Sequence, residues 1–173
     1  MTTPDLSTTE CAVLALLGER PGHGFALARQ LAAGSEIGRV FTVRRSLVYR
    51  ALDRLVDAGL ARPVSTEKGR AGPKRIIHAI TPAGRGRLDD WLAEPVEHVR
   101  DLRIEFLLKL TMLRRSQRSP TTLIKSQRAA LDNTLSALDE NGPDPDDHVE
   151  LWRRHQAATA GSYLEALQEL YRE

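Results

Sequence analysis

The 173-residue chain is short of several features that would narrow its chemistry. It has one cysteine, Cys11, so no internal disulfide can form. That thiol sits in an apolar run, where a small buried residue is expected. The longest apolar run, Cys11 to Leu17, falls far short of the roughly 18–20 residues needed to cross a bilayer. Met1 to Glu10 has no basic stretch leading into an apolar one, so no secretory signal is visible and a cytoplasmic protein is expected. The five histidines, His23, His78, His98, His148 and His155, show no metal-ligand spacing with Cys11 or with a carboxylate pair. There is no glycine-rich phosphate loop, nucleophile elbow or kinase-type motif. Neither an enzyme nor a bound cofactor or metal is expected.

What the chain does have is ordinary in amount and uneven in place. Hydrophobic residues at 41% suffice for a core, and 28% charged residues suit a soluble protein of one compact domain or two small ones. The net charge is +2, but Arg39 to Arg87 holds 12 Lys or Arg against 3 acids, a local charge of +9. Val96 to Glu173 holds 11 basic against 13 acidic residues, a local charge of −2. The two halves therefore face different partners, and the +9 segment suits a polyanion.

Ser7, with Glu10 three residues on and Leu6 before it, reads as a capping box with a hydrophobic staple onto Cys11. It opens a helix from Thr8 to about Leu17 that Gly18 ends. A second helix spans about Gly24 to Ala33, with Leu27, Ala28, Leu31 and Ala32 on one side and Gly34 as its stop. A third runs from about Val43 to Ala58, capped by Thr42 or Ser46. Its apolar stripe is Leu47, Val48, Ala51, Leu52, Leu55 and Val56. Two β-prone runs follow, Leu60–Val64 and Arg75–Thr81, joined by a basic tip from Ser65 to Lys74. The expected fold is mainly α: an N-terminal winged helix-turn-helix with a two-stranded β wing over residues 1–94, then a helical dimerisation domain over 95–173. In the second half, helices are predicted from Pro82 through Leu92, over about Asp101–Arg115, from Ser119-Pro120 to about Glu140, and from about Asp147 onward.

The third helix carries the functional signal. Opposite its apolar stripe stand Arg44, Arg45, Ser46, Tyr49 and Arg50 near its start, and Arg54 further on. The N-terminal end of a recognition helix enters the major groove, where Arg grips guanine O6 and N7 with two parallel hydrogen bonds. Ser46 and the Tyr49 hydroxyl suit phosphate. The wing cations Lys68, Arg70, Lys74 and Arg75 suit the DNA backbone or minor groove. A winged-helix adaptor that binds protein instead of DNA has no need for arginines concentrated in these two places.

These residues lie within a set of segments that together resemble the PadR family of transcriptional regulators. The segments are Leu14-Ala15-Leu16-Leu17-Gly18, His23-Gly24-Phe25-Ala26-Leu27, Leu47 to Leu55, Ala58-Gly59-Leu60, Gly72-Pro73-Lys74-Arg75, Ile80 to Gly84, and Leu102 to Leu110. The family commonly has Tyr where this chain has Phe25, and an aromatic where this chain has Ile77-His78. The resemblance implies a homodimer joined through C-terminal helices that represses transcription at an inverted-repeat operator. It also implies release by a small effector, phenolic acids in some members. On the last helix, Leu151, Trp152, Thr159, Tyr163, Leu167 and Leu170 form a regular stripe expected to be buried against the second subunit. Trp91, Phe106 and Trp152 are candidates for the wall of a pocket taking a flat aromatic effector, against the plainer role of the two tryptophans as interface core.

Overall fold

Ser7 starts the first helix as its spacing to Glu10 predicts. In the computed structural model, which describes residues 5–67, 74–140 and 147–172, α1 spans Thr8–Glu19. The Ser7 Oγ accepts from the Glu10 amide, and the Glu10 carboxylate accepts from the Ser7 amide at 2.7 Å. Both ends of the capping box are made. Because α1 is apolar nearly all round, Cys11 through Leu17 are all buried and the helix is the centre of its unit. Gly18 does not end it. A Cβ at Gly18 would lie 2.8 Å from Leu88 Cδ2, so glycine here lets α4 approach.

Helix α2 is short, Gly24–Gln30, with His23 as its cap and turns from Leu31 onward. Helix α3 is Arg45–Asp57 and buries Val48, Ala51, Leu52 and Leu55. Leu47, placed in the buried stripe by the sequence pattern, is instead exposed, because the angle it occupies points away from α1 and α2. The wing pairs β1 (Ala61–Glu67) with β2 (Arg75–Ile80) in antiparallel register, from Ala61 opposite Ile80 to Glu67 opposite Arg75. An irregularity between Pro63 and Ser65 leaves Val64 unpaired, at the point where proline cannot donate to the ladder. Strand β1 therefore runs further than Val64. Gly22 and His78 exchange backbone hydrogen bonds of 2.9 Å each way, which fastens the wing to the segment before α2. Helix α4 spans Pro82–Ala93.

The chain divides into two compact units, residues 1–92 and 93–173. In the second, the helix expected over Asp101–Arg115 is broken. A 3₁₀ turn covers Val99–Arg103, and α5 covers Glu105–Arg115, with Ile104 between them at φ −111° and ψ −68°. Helix α6 is Thr121–Glu140 and α7 is His148–Leu170. Asp147 caps α7, accepting from the amides of Val149 and Glu150. Ala157, Ala160, Gly161, Leu164 and Leu167 form the buried face of α7, while α6 buries Leu123, Ile124 and Leu131. Arg128 on α6 clamps the two helices, with Nη1 2.8 Å from the Glu165 carboxylate and Nε 2.9 Å from Asp132. The buried Lys109 ammonium donates to the Glu94 carbonyl at 2.8 Å and pairs with Glu105 at 3.1 Å. No helix among the described residues is long and apolar enough to cross a membrane.

Candidate nucleic-acid interface

The expected DNA-contacting residues of α3 are brought together on one exposed surface. Arg44, Arg45, Ser46, Tyr49 and Arg50 are all exposed around the start of the helix. Arg44 occupies the cap position, and no side chain caps the helix. Neither expected cap is used: the Thr42 hydroxyl donates back to the Gly38 carbonyl at 2.7 Å, and Ser46 lies inside the helix. An uncapped first turn leaves amide donors and the positive end of the helix dipole facing outward, as an anion requires.

Arg54 is set apart from this group. Its guanidinium is 3.3 Å from the buried Glu10 carboxylate, so it ties α3 to the start of α1. The acids on α3, Asp53 and Asp57, lie toward its C-terminal half, away from the arginine-rich start. Of the wing cations, Lys74 and Arg75 are exposed. Lys68 and Arg70 lie outside the described residues.

The sequence reading missed what joins α3 to the wing. Phe25, in the first turn of α2, has the Arg45 Cζ 4.7 Å from its ring centroid and the Arg75 Cζ 5.3 Å away. One arginine opens α3 and the other is the first residue of β2. The Arg45 Cζ is also 5.7 Å from the Tyr49 ring centroid. Tyr49 lies so close over Gly24 that a Cβ there would meet its ring at 2.7 Å. His23 completes the group. Its Nδ1 accepts the Ala26 amide at 3.1 Å, and its Nε2 is 3.4 Å from Arg75 Nη1. The His23-Gly24-Phe25 run was visible as a motif, but its spatial neighbours were not.

The three aromatic residues considered for an effector pocket are not gathered on an open surface. Phe106 has no exposed surface, and Trp91 is nearly as buried, each within the core of a different unit. Trp152 is 64% exposed and lines an open groove of about 690 Å³ with Val99, Arg100, Arg103, Arg153 and Gln156. A smaller groove of about 310 Å³ adjoins Leu102, Leu107, Thr159 and Tyr163. Of the stripe expected at a dimer seam, Leu151, Trp152, Thr159, Tyr163 and Leu170 are exposed. Leu167 is not part of that surface. It is 9% exposed and faces inward with Leu164, because its angle around α7 falls on the side that meets α6.

Comparison with known proteins bears on the first unit. The family model described as Transcriptional regulator PadR-like family matches residues 13–90. A protein of Mycobacterium tuberculosis named Probable transcriptional regulator Rv1176c is 31% identical over 90 residues. That match spans 51% of this chain and 46% of the relative, so the chain spans about half the length of that protein. Among solved structures, Bacillus subtilis PadR in complex with operator DNA is 20% identical, with 95% of this chain and 99% of that one covered and a TM-score of 0.48. The same protein in complex with p-coumaric acid is also 20% identical, with 99% of each chain covered and a TM-score of 0.43. The matched segment runs from within α1 to within α4 and contains α3 and the wing, so residues 13–90 are a domain of the PadR-like family of transcriptional regulators.

Proposed function

We propose that this protein is a sequence-specific DNA-binding transcriptional regulator that acts as a homodimer on an inverted-repeat operator. The observation that carries this reading is the cluster of Arg44, Arg45, Ser46, Tyr49 and Arg50 around an uncapped helix start. Lys74 and Arg75 of the wing extend the same cationic chemistry. In this reading Arg44, Arg45 and Arg50 meet base edges, while Ser46, Tyr49 and the wing cations meet phosphates. The first unit is the DNA-binding domain, and the second holds the dimer seam along Leu151, Trp152, Thr159, Tyr163 and Leu170. A small aromatic effector would find the Trp152 indole and three guanidinium groups in the groove at this seam, with the Glu97 carboxylate among them.

Selection of bound duplexes from random DNA tests the reading. The expected result is a pseudo-palindromic site with half-sites about one helical turn, roughly 34–36 Å, apart. Recovery of no preferred sequence, or binding indifferent to salt, would overturn it, because phosphate contacts release counterions.

A further inference from the structure

We infer that Phe25 is a specificity-determining positioning residue: its ring holds Arg45 of the recognition helix and Arg75 of the wing as a preset pair. The inference rests on the DNA-binding reading and deepens it by naming what aims the arginines. Arg45 and Arg75 are exposed and long, and free side chains of this kind lose rotamer entropy when they grip a base or phosphate. A ring carrying both guanidinium groups removes part of that freedom before DNA arrives. The Cζ-to-centroid distances of 4.7 and 5.3 Å are those of cation–π contacts.

The platform is itself held in place. Phe25 sits in the first turn of α2, where the His23 imidazole caps the helix and stacks beside the ring at 6.2 Å. The Gly22–His78 backbone pair fixes the segment before α2 to β2. Tyr49, packed over Gly24, adds a second aromatic face to Arg45. Elements distant in sequence therefore converge on one side chain. Arginines stacked on an aromatic ring keep their N–H edges off the ring, so Arg45 still presents the fork that reads guanine or phosphate, while Arg75 has Nη1 beside His23 and its other N–H groups left to bind.

The opposite role is equally concrete. Phe25 could park the two arginines and hold them away from DNA, in which case removing the ring would tighten binding. The experiment uses the full chain with F25L, F25Y, R45Q, R75Q and the doubles F25L/R45Q and F25L/R75Q. The probe is the duplex selected by the wild-type protein, beside an unrelated duplex of equal length. Without DNA, the Arg45 and Arg75 side-chain NMR resonances should show ring-current shifts that F25Y keeps and F25L reduces to what the Tyr49 and His23 rings leave. With DNA, F25L should weaken the selected duplex about tenfold more than the unrelated one, and F25Y should stay within about twofold of wild type. The F25L effect should shrink in the R45Q and R75Q backgrounds, since coupled residues are not additive. A merely structural role would give the same loss in every background and a lowered melting temperature. Absent ring-current shifts, tighter binding by F25L, or unchanged discrimination each overturns the inference alone. A wild-type protein that prefers no duplex overturns the DNA-binding reading and this inference with it.

Discussion

Gln127 satisfies a backbone that no helix or strand satisfies. Val96 lies between α4 and the 3₁₀ turn, and both of its backbone groups are buried against the Gln127 amide. The Val96 N–H donates to Oε1 at 2.8 Å, and Nε2 donates to the Val96 carbonyl at 3.0 Å. Replacing Gln127 by Leu fills similar volume and strands both groups, a cost of about 2–4 kcal/mol. Gln127→Glu keeps an acceptor but turns a carboxylate toward a carbonyl, so it should also destabilise. Chemical denaturation checks both, as a lowered midpoint at unchanged slope. His78 gives a second test at this scale. Burial lowers its pKa from 6.5, with Asp53 and the Ile76 backbone pulling the other way. Its Nδ1 is buried with no hydrogen-bond partner. The unfolded chain takes up its proton near 6.5, whereas the folded one resists protonation to lower pH. Stability should therefore be insensitive to this group above about 6.5 and fall as pH drops from there through the lowered folded value. His78→Val should flatten that part of the stability–pH profile, while an unchanged slope would assign the loss to other groups.

At the level of single elements, what the sequence made legible was local. The capping box of α1 and the α3 stripe follow from residues three or four positions apart, the two strands from short β-prone runs, and the sequence places the start of α7 at about Asp147. What it hid depended on partners far along the chain. Gly18 read as a stop because Leu88, which needs the space, is on α4. Leu47 read as core because periodicity alone does not say how wide the buried face is. The Phe25 group was missed because its arginines come from α3 and β2. The expected roles of these elements in binding also separate. Lys74, exposed beside β2, should act as a point charge on phosphate. Lys74→Ala should weaken all duplexes alike and reduce the salt slope by about one. Arg45→Gln removes a forked donor at the helix start and should cost about 1–3 kcal/mol at one base position, relaxing preference there. Affinity measured for matched and mismatched duplexes at several salt concentrations distinguishes the two. A wing variant that lost sequence preference while Arg45→Gln kept it would reverse the assignment.

For the whole molecule, the question is what covers the outer side of α7. Its inner side is already used: Ala157, Ala160, Gly161, Leu164 and Leu167 are buried within the unit. Its outer side leaves Trp152 at 64% and Leu170 at 72% exposure, with Tyr163 and Leu151 beside them. Solvent-facing apolar residues in such a row mark an interaction surface, and the proposed homodimer supplies one. Deleting Asp147–Glu173 is a blunt test, because it also strips the face that packs on α6 and so mixes unfolding with dissociation. The paired substitution Trp152→Glu/Leu170→Glu touches only exposed positions, so the isolated protomer should keep its helix content and melting behaviour. Two carboxylates buried in a dimer seam would go unpaired, which an apolar interface does not tolerate. Sedimentation should then show a monomer where the parent is a dimer. Loss of the second half-site contact should lower affinity for the full inverted repeat by about 100-fold or more, while affinity for a single half-site stays unchanged. A folded variant that still sediments as a dimer, or that binds the full site normally, would move the seam elsewhere on the chain.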